Sequence, residues 1–455
     1  MRKFNIFTVL LIPVMLVASL ISPLVSALSD PDIETDAALL VETISGNILH
    51  ERNKDIRVAP GGIAKIMTLL LAVIEVENEQ EGLQDSVTAS ETFLNGIGEN
   101  DATLKIKPGE TMSYKDLMYC AYIASANDAC NILAEHIDGS IMEFVGKMNA
   151  KAKELGCRDT HFMNPGGLTD PGQYTSAWDQ YLIFKEAVSH PLFLEIAGMA
   201  SYQTEADDDS PDRSFINPNL MLQEQHEYYY EYCAAGKTAT SGDYGSSLVS
   251  YAKNSELSLI SVVFGVKSTE GKNVSSFSET IRLFEWGFSC FSWLVVVTRH
   301  ETVVNEKIAL AKGTDKIRLR PSAPITILAR NDLTAEDIKK DIVVFGQGEE
   351  KVLMAPVKKG DILGEITVTV DGAICGKVNL VAAQDVALDR GAFIKSHITD
   401  TLSIFWVQLG IFLLLVLIGF YIWLVIRDRM RRREEKRRIE EVRKKIVEER
   451  QRIIR

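Results

Sequence analysis

The sequence predicts a mixed α/β (α+β) domain in which an antiparallel sheet is flanked by helices, followed by a small all-β domain and a single transmembrane helix. The first 296 residues combine apolar helical segments with paired β-rich runs. Seven short strand-like runs, at intervals of roughly 8 to 12 residues, lie between 307 and 381. Residues 401–426 contain no charged side chain, and a helix of that length spans the hydrocarbon core of a bilayer.

Both ends of the chain indicate an exported, membrane-anchored protein. Residues 1–27 combine a short basic start, an apolar run and a small-residue exit, which is typical of a cleaved signal peptide; an uncleaved anchor is the alternative. Basic residues begin directly after the uncharged segment, so the positive-inside rule places the C-terminus in the cytoplasm. We therefore expect a single-pass type I protein of the cell membrane, with its bulk extracytoplasmic. The predicted boundaries are 1–27 for the signal peptide, 28–296 for the first domain, 297–390 for the small β-sandwich-like domain, 401–426 for the transmembrane helix and 427–455 for the basic cytoplasmic tail.

Charge and cysteine content exclude several function classes. The net charge is −13, and because residues 1–27 carry +2 and the tail carries +7, the segment between them carries −22. Such an acidic segment argues against nucleic-acid binding. Six cysteines without paired spacing indicate buried free thiols instead of a disulfide framework. Seven scattered histidines have no metal-ligand spacing, so we expect neither a metal nor a cofactor.

The first elements lead to a lysine at the start of an apolar helix. Residues 37–42 and 48–51 are apolar-rich runs around a Ser-Gly-Asn turn, and they predict a β-hairpin. From Ile63 to Glu75 the apolar residues are nearly continuous, which predicts a helix buried at the centre of the domain. Lys65 lies in its first turn. If buried, Lys65 has a lowered pKa and the character of a base; the alternative is a lysine that reaches solvent beside the helix N-terminus.

A second helical segment is interrupted by polar residues. Leu117 to Glu135 is strongly apolar except around Ser125 and Asn127, whose side chains compete with helical hydrogen bonds. We therefore expect a short loop or helix junction that presents these two side chains. Residues 164–167, Asn-Pro-Gly-Gly, form a turn cluster further along the chain.

A helix and two strands complete the first domain. Ser176 is the expected N-cap of a helix that runs to His190. Residues 247–252 and 257–265 are alternating or β-branched and predict adjacent antiparallel strands. Lys237 would lie at the strand edge that leads into them.

Taken together, these stretches resemble the D-alanyl-D-alanine carboxypeptidases, the low-molecular-mass serine-type penicillin-binding proteins. The resemblance runs from Ala37 to about Ala383, and Ala355 to Gly364 looks like the family's C-terminal domain. It implies a β-lactamase/transpeptidase-like fold for the first domain. The motifs that fall in the family's order and approximate spacing are Ser125-Ala126-Asn127-Asp128-Ala129, Met148-Asn149, Asn164-Pro165-Gly166-Gly167-Leu168, Ser176-Ala177-Trp178-Asp179 and Gly236-Lys237-Thr238.

The resemblance also implies residue roles. In the family, the serine of Ser-x-x-Lys attacks the penultimate D-alanine carbonyl with the lysine as base, Ser-x-Asn relays protons and orients the substrate, and Lys-Thr-Gly binds the terminal carboxylate. By position, the catalytic matches are Lys65, Ser125 and Asn127, and the substrate-binding matches are Lys237, Thr238 and Ala239. Two positions depart from the family: Gly62 stands where the nucleophile is expected, and Ala239 replaces the strand glycine. An acyl-enzyme needs an oxygen or sulfur nucleophile, so Gly62 predicts impaired covalent catalysis.

Three functional hypotheses follow. The first is a catalytically impaired carboxypeptidase homologue of the bacterial cell wall that recognises peptidoglycan stem peptides ending in D-Ala-D-Ala, or a cell-wall enzyme. The second is an active serine-type D-Ala-D-Ala carboxypeptidase-like peptidase of unusual mechanism, in which Lys65 and Ser125 orient an attacking water. The third is a membrane-anchored structural assembly protein. Apolar residues at helical spacing between 439 and 447 make the tail either an amphipathic or coiled-coil helix for a cytoplasmic partner, or a basic segment attracted to anionic lipid.

Overall fold

The structure is a computed structural model of the 455-residue chain, and it describes residues 29–204, 211–241, 244–267, 275–346 and 352–453. The predicted signal peptide lies outside the described residues. The chain divides into two compact units. The first contains the described residues up to Leu294 together with Ile327–Asp337; the second contains Val295–Thr326 and the described residues from Ile338 onward.

The first unit is built on one antiparallel sheet. In chain order, its helices and strands up to residue 290 are β1 (Ala37–Glu42), β2 (Ile48–Arg52), α1 (Lys65–Glu77), β3 (Ser86–Thr88), β4 (Thr111–Ser113), α2 (Tyr114–Tyr122), α3 (Asn127–Asp138), α4 (Ile141–Glu154), α5 (Ala177–Ser189), α6 (Pro191–Gly198), β5 (Ser201–Gln203), β6 (Ser214–Ile216), β7 (Cys233–Ser241), β8 (Gly245–Lys253), β9 (Ser258–Val266) and α7 (Ser276–Cys290). The five strands of the sheet are ordered β2-β1-β9-β8-β7, and all neighbours are antiparallel.

Helices cover both faces of this sheet. Ala37, Leu39 and Val41 of β1 pack in the larger core, which contains residues of α1 to α6. Ala38 and Leu40 point to the opposite face and pack in a second core with residues of α7. Because successive side chains of a strand point to opposite faces, a strand buried on both sides reads as a continuous apolar run. This explains why β1 shows no hydrophobic alternation.

The elements expected near the candidate site are confirmed. β1 and β2 form an antiparallel hairpin, and β8 and β9 are antiparallel neighbours. α1 begins at Lys65, directly after a 3-10 turn over Gly61–Ala64. The side chain of Ser176 accepts a hydrogen bond from the backbone N–H of Asp179, so Ser176 caps α5 as predicted.

Two short strand pairs were not expected from the sequence. β3 pairs with β4, and β5 pairs with β6. Each of these strands has three residues, which is too few to display an alternating pattern. Their strand conformation depends on pairing with a distant segment, which local periodicity does not reveal.

The second unit contains a six-stranded sheet. The remaining elements of the chain are β10 (Phe291–Val297), β11 (Val304–Ala309), β12 (Lys316–Pro321), β13 (Ile325–Arg330), β14 (Ile338–Val344), β15 (Leu353–Met354), β16 (Ile362–Val370), β17 (Ala373–Ala382), α8 (Arg390–Ser403) and α9 (Phe405–Ile453). The sheet has the order β14-β16-β17-β12-β11-β15, whereas β13 pairs with β10 separately. Alternate residues such as Ile317 and Leu319 of β12, and Ile366 and Val368 of β16, are fully buried. The predicted small all-β domain is therefore confirmed.

The predicted transmembrane segment is divided between two helices. Ile404 has an extended backbone, with ψ of 119°, and ends α8. Residues 401–403 therefore belong to α8, and the apolar helix begins at Phe405 instead of 401. Within the described part of the chain, α9 is the one helix long and apolar enough to be a candidate membrane span.

All six cysteines are free, which confirms that no disulfide framework is present. Cys120, Cys130 and Cys290 are buried. The expectation of burial is wrong for Cys375, because the first residues of β17, next to the β16–β17 turn, face solvent.

Candidate active site

Lys65 is buried at the start of α1. Its side chain is 3% exposed. The Nζ atom donates hydrogen bonds to Asn127 Oδ1 at 2.8 Å and to the carbonyl oxygen of Gly166 at 2.5 Å. Of the two alternatives for Lys65, the buried lysine is confirmed and the solvent-reaching lysine is wrong. The lysine thus joins α1 to α3 and to the turn that contains Gly166.

The expected junction between α2 and α3 is confirmed; it places Asn127 against Lys65 and the Ser125 hydroxyl 3.7 Å from the Cβ position of Gly62. Ser125 has a left-handed backbone, with φ of +56°, which a non-glycine residue adopts only in particular turns. Its side chain is half-buried, and its hydroxyl makes no hydrogen bond within the described part of the chain. Asn127 is buried at the first position of α3, where Nδ2 donates to the carbonyl of Ala102 at 3.0 Å.

Asp128 fixes one wall of the site. Its buried carboxylate accepts hydrogen bonds from the backbone N–H groups of Leu104, at 2.9 Å, and Ile106, at 3.2 Å. Together with the Asn127 to Ala102 bond, these contacts hold residues 102–106 against the start of α3. The sequence motif containing Asp128 predicts no role for it, because its partners are backbone groups that leave no side-chain signal.

The Asn-Pro-Gly-Gly turn forms a second wall and needs its glycines. The hydroxyl of Thr68, on α1, donates to the carbonyl of Pro165 at 2.7 Å. A Cβ atom on Gly166 would lie 2.3 Å from Asn127 Oδ1, and a Cβ on Gly167 would lie 1.8 Å from the carbonyl oxygen of Gly61. The sequence predicts a turn here but not the hydrogen bond from Lys65 to the Gly166 carbonyl. The adjacent glycines were the signal for such a close backbone approach.

Lys237 lies in β7, the edge strand of the sheet. Its side chain is 2% exposed, and Nζ donates to the carbonyl oxygen of Tyr122 at 2.5 Å. Nζ also lies 4.9 Å from the centroid of the Tyr122 ring, within the range of a cation–π contact. No sequence signal pointed to this partner at the end of α2.

Burial lowers the pKa of both lysines. Desolvation lowers the pKa of Lys65, while the charges of Cys130, Asp101 and Asp128 partly offset it. Desolvation, together with repulsion from Lys65, lowers the pKa of Lys237 to about 7. Neither lysine forms a salt bridge with a described carboxylate. Both amines therefore lose a proton more readily than an ordinary lysine does.

Gly62 has limited space around it where a side chain would be. Its φ lies outside the left-handed region, so any residue type can adopt this backbone. A Cβ on Gly62 would lie 3.3 Å from the carbonyl oxygen of Thr238 and 3.7 Å from both Ala239 Cβ and Ser125 Oγ. The backbone conformation therefore allows other residue types, but a side chain here requires the Thr238 carbonyl to shift by a few tenths of an ångström. The position faces Ser125 on one side and β7 on the other.

A cavity of about 340 Å³ lies beside this group. Its lining includes Gly61, Gly167, Ala239, Tyr174 and Tyr244. The methyl group of Ala239 would lie 3.4 Å from a Cβ on Gly61 and 3.7 Å from a Cβ on Gly62, so Ala239 lines the cavity close to both glycines. Among the described residues, no cluster of histidine, cysteine or acidic side chains could hold a metal ion.

Comparisons with known proteins agree with the predicted resemblance. Residues 25–268 match the family model described as D-alanyl-D-alanine carboxypeptidase, and residues 295–388 match the model of the penicillin-binding protein 5 C-terminal domain. The chain is 32% identical over 356 residues to the D-alanyl-D-alanine carboxypeptidase DacF of Bacillus subtilis, with 78% of this chain and 86% of the relative covered. It is 28% identical to DacC of Escherichia coli, covering 80% of this chain and 86% of the relative.

Solved structures give the same result for the fold. Penicillin-binding protein 5 from Haemophilus influenzae is similar, with a TM-score of 0.59, 25% identity, and coverage of 79% of this chain and 99% of that chain. The carboxypeptidase DacD from Francisella tularensis has a TM-score of 0.62 and 22% identity, with 81% of this chain and 97% of that chain covered. These matches confirm the transpeptidase-like fold followed by a small β domain.

Replacing Gly166 tests the close approach at Lys65. We expect Gly166→Ala to lower the free energy of unfolding by about 1–3 kcal/mol, because the new methyl group collides with Asn127 Oδ1. Urea denaturation of the full chain in detergent, followed by tryptophan fluorescence, measures this. Gly146→Ala is the matched control: Gly146 lies in α4 with no atom within 4 Å of its Cβ position, so stability is unchanged or rises by up to about 1 kcal/mol. Equal effects of both changes would contradict the steric argument.

The pH dependence of stability tests the burial of Lys237. A lysine with a pKa of about 7 in the folded state binds fewer protons than it does unfolded, so its contribution to stability rises with pH above 7. We expect the free energy of unfolding of wild type, relative to that of Lys237→Met, to rise between pH 7 and pH 9. The rise should be at most about 1.4 kcal/mol per pH unit. The measurement is urea denaturation at several pH values. Parallel curves for the two proteins would contradict the lowered pKa.

Proposed function

Because the chain belongs to the D-alanyl-D-alanine carboxypeptidase family, we propose that it is a catalytically impaired member that recognises the D-Ala-D-Ala end of peptidoglycan stem peptides, or a cell-wall enzyme. The observation that carries the proposal is the surroundings of Gly62. The hydrogen bonds of Lys65 to Asn127 and Gly166 involve no atom of residue 62. The site is therefore ordered, yet it has no side chain at the nucleophile position.

Covalent catalysis needs an activated oxygen or sulfur atom at this point. The hydroxyl nearest to the missing side chain is that of Ser125, 3.7 Å from the Cβ position of Gly62. An adjacent base activates a serine by accepting its proton through a hydrogen bond, but neither Lys65 nor Lys237 is bonded to Ser125. This argues against Ser125 as a substitute nucleophile, so the second hypothesis of an active peptidase has to rely on a water molecule that Lys65 and Ser125 orient.

Recognition of a ligand carboxylate requires positive charge and hydrogen-bond donors, and it does not require a nucleophile. Lys237 supplies the charge when protonated, and Thr238 next to it is half-buried on β7. β7 is the last strand of the described sheet, and an extended peptide that binds here would pair with its outer edge. These features support binding of a stem peptide in the absence of turnover.

Ala239 limits how closely a ligand approaches. Its methyl group lies 3.7 Å from the Cβ position of Gly62, at the point where the family motif has glycine. A bound peptide would have to lie further from β7 here than it does on a glycine, so we expect weakened binding and not its loss. The two departures from the family pattern thus lie in contact with each other.

We further propose that α9 anchors the protein in the cell membrane as a single-pass type I protein. α9 is the candidate membrane span, and arginines follow its apolar part directly at Arg427, Arg429 and Arg431. By the positive-inside rule this end is cytoplasmic, which leaves the carboxypeptidase-like unit outside. A peptidoglycan ligand would meet the protein on that side.

Labelling with a fluorescent penicillin tests impaired catalysis. We expect no label on the wild-type chain that survives denaturing electrophoresis, and clear labelling of the double variant Gly62→Ser with Ala239→Gly, because the double change restores the hydroxyl and removes the crowding methyl. The difference in labelling rate should be about 10³-fold or more. The full chain in detergent is used for all samples.

Gly62→Ala with Ala239→Gly is the matched control, since it adds the Cβ atom without a hydroxyl. It should remain unlabelled. A labelled wild-type chain with the adduct mapped to Ser125 would overturn the proposal and support the active peptidase instead. Absence of label on the Gly62→Ser double variant would contradict the argument that the rest of the site is intact.

Calorimetric titration with a pentapeptide ending in D-Ala-D-Ala tests recognition. We expect Lys237→Met to weaken binding about tenfold or more, because it removes a charge-assisted contact to the terminal carboxylate. Wild-type affinity should fall as the pH rises above about 7, since the free protein then loses the Lys237 proton.

Two controls make this test specific. Lys253→Met changes an exposed lysine at the far end of β8 and should leave the affinity unchanged. The same pentapeptide with a C-terminal carboxamide should bind wild type as weakly as the free acid binds Lys237→Met. Equal affinity of wild type and Lys237→Met, or no measurable binding to wild type, would remove stem-peptide recognition and favour a structural assembly role.

A further inference from the structure

The tail of α9 is a long helix without a partner in the described chain. α9 continues through Arg427 to Ile453 with no break. At 1.5 Å per residue, this extends about 40 Å beyond the apolar segment. Every described side chain from Ile426 to Ile453 is exposed. In a helix of this length with no buried residue, an apolar face is stabilised only when a surface from outside the described chain covers it.

The tail has such a face. Ile439, Val442, Ile446 and Ile453 are 58%, 56%, 51% and 82% exposed, and their spacing of three, four and seven residues places them along one stripe. Glu449 takes the remaining position of this stripe. Two further apolar residues of the described tail, Met430 and Val447, lie off the stripe. Hydrophobic residues at this spacing form the seam of a two-helix coiled coil, in which a single polar seam position selects register.

Both edges of the stripe are basic. A helical projection places one set of Lys and Arg residues on one side of the stripe and a second set on the other. The flanking residues are Lys436, Arg443 and Arg450 on one side, and Arg438, Lys445 and Arg452 on the other. Glu440, Glu441 and Glu448 lie away from the stripe. Flanking charges of one sign determine which helix can pair with the seam.

This charge pattern argues against a second copy of the chain. In a parallel pair, Arg438 of one helix faces Arg443 of the other, and Lys445 faces Arg450. In an antiparallel pair, each basic edge faces itself. Both arrangements place like charges together, which disfavours association.

The helix also argues against contact with the membrane surface. Residues 427–453 contain neither proline nor glycine, and the helix is continuous with the apolar segment. The stripe is therefore carried away from the bilayer along the helix axis. To lie flat on anionic lipid, the helix would have to break where no residue favours a break.

We propose that the stripe Ile439–Val442–Ile446–Ile453 binds an amphipathic helix of a partner protein whose flanking positions carry Asp or Glu, forming a heterotypic coiled coil. The partner's acidic residues would pair with both basic edges, and its apolar residues would cover the stripe. This proposal does not depend on the state of the carboxypeptidase-like site.

The test uses the full chain in phosphatidylcholine nanodiscs and a fluorescent synthetic peptide of four heptads. One peptide has Ile and Leu at its seam and Glu at both flanking positions, and a second has Lys at those positions. We expect the acidic peptide to bind at least about tenfold more tightly by fluorescence anisotropy. Ile439→Asn with Ile446→Asn should weaken binding about tenfold or more, whereas Val447→Asn, off the stripe, should have less than about a twofold effect.

Charge reversal separates specific pairing from general attraction. Arg443→Glu with Lys445→Glu should lower affinity for the acidic peptide and raise affinity for the basic one. Equal binding of both peptides, or binding that the Asn changes leave intact, would overturn the proposal. Protection of the tail from trypsin by phosphatidylserine nanodiscs alone would overturn it in favour of lipid. Protection by a second copy, in vesicles at high protein density, would overturn it in favour of self-association.

Discussion

The hydrogen bonds of Lys65 are the interaction on which the candidate site depends. An amine with 3% of its surface exposed needs acceptors, because an unpaired polar group in the core destabilises the fold. The acceptors come from two distant parts of the chain, Asn127 on α3 and the carbonyl of Gly166. Satisfying one lysine therefore fixes the start of α1, the helix junction and the Asn-Pro-Gly-Gly turn together. The close approach of that turn leaves no room for a side chain at Gly166 or Gly167.

This arrangement explains how the fold tolerates glycine at position 62, which matches the family's nucleophile in the sequence. Gly62 contributes no atom to the Lys65 network, and a Cβ there would lie 3.3 Å from the Thr238 carbonyl oxygen and 3.7 Å from Ala239 Cβ and Ser125 Oγ. Removing a side chain there takes nothing from the core contacts of Ile63 or Ala64, which are fully buried on the other side of the turn. Stability and nucleophilic chemistry are thus separable at this site, and a chain can retain the first without the second.

The sequence predicted those features that depend on local pattern. The burial of α1 followed from its apolar run, and the helix junction at Ser125 followed from polar residues within an apolar segment. The sequence left open whether Lys65 is buried or reaches solvent, because its burial depends on hydrogen-bond acceptors 62 and 101 residues away. The Tyr122 carbonyl that binds Lys237 was missed for the same reason, since a backbone acceptor has no residue-type signature. Register and close backbone contacts are long-range properties, and they became visible only with the fold.

The two apolar parts of α9 have different physical requirements. The segment after Phe405 is apolar on all sides, and lipid satisfies every face of such a helix equally. After Arg427 most apolar residues lie along one stripe of the helix, and basic residues border that stripe on both edges. Lipid tails cannot cover it, because the axis of a straight helix leads out of the bilayer. An apolar stripe on one side of a helix in water is stabilised when the apolar stripe of a second helix covers it. Because basic residues border the first stripe, acidic residues should border the second.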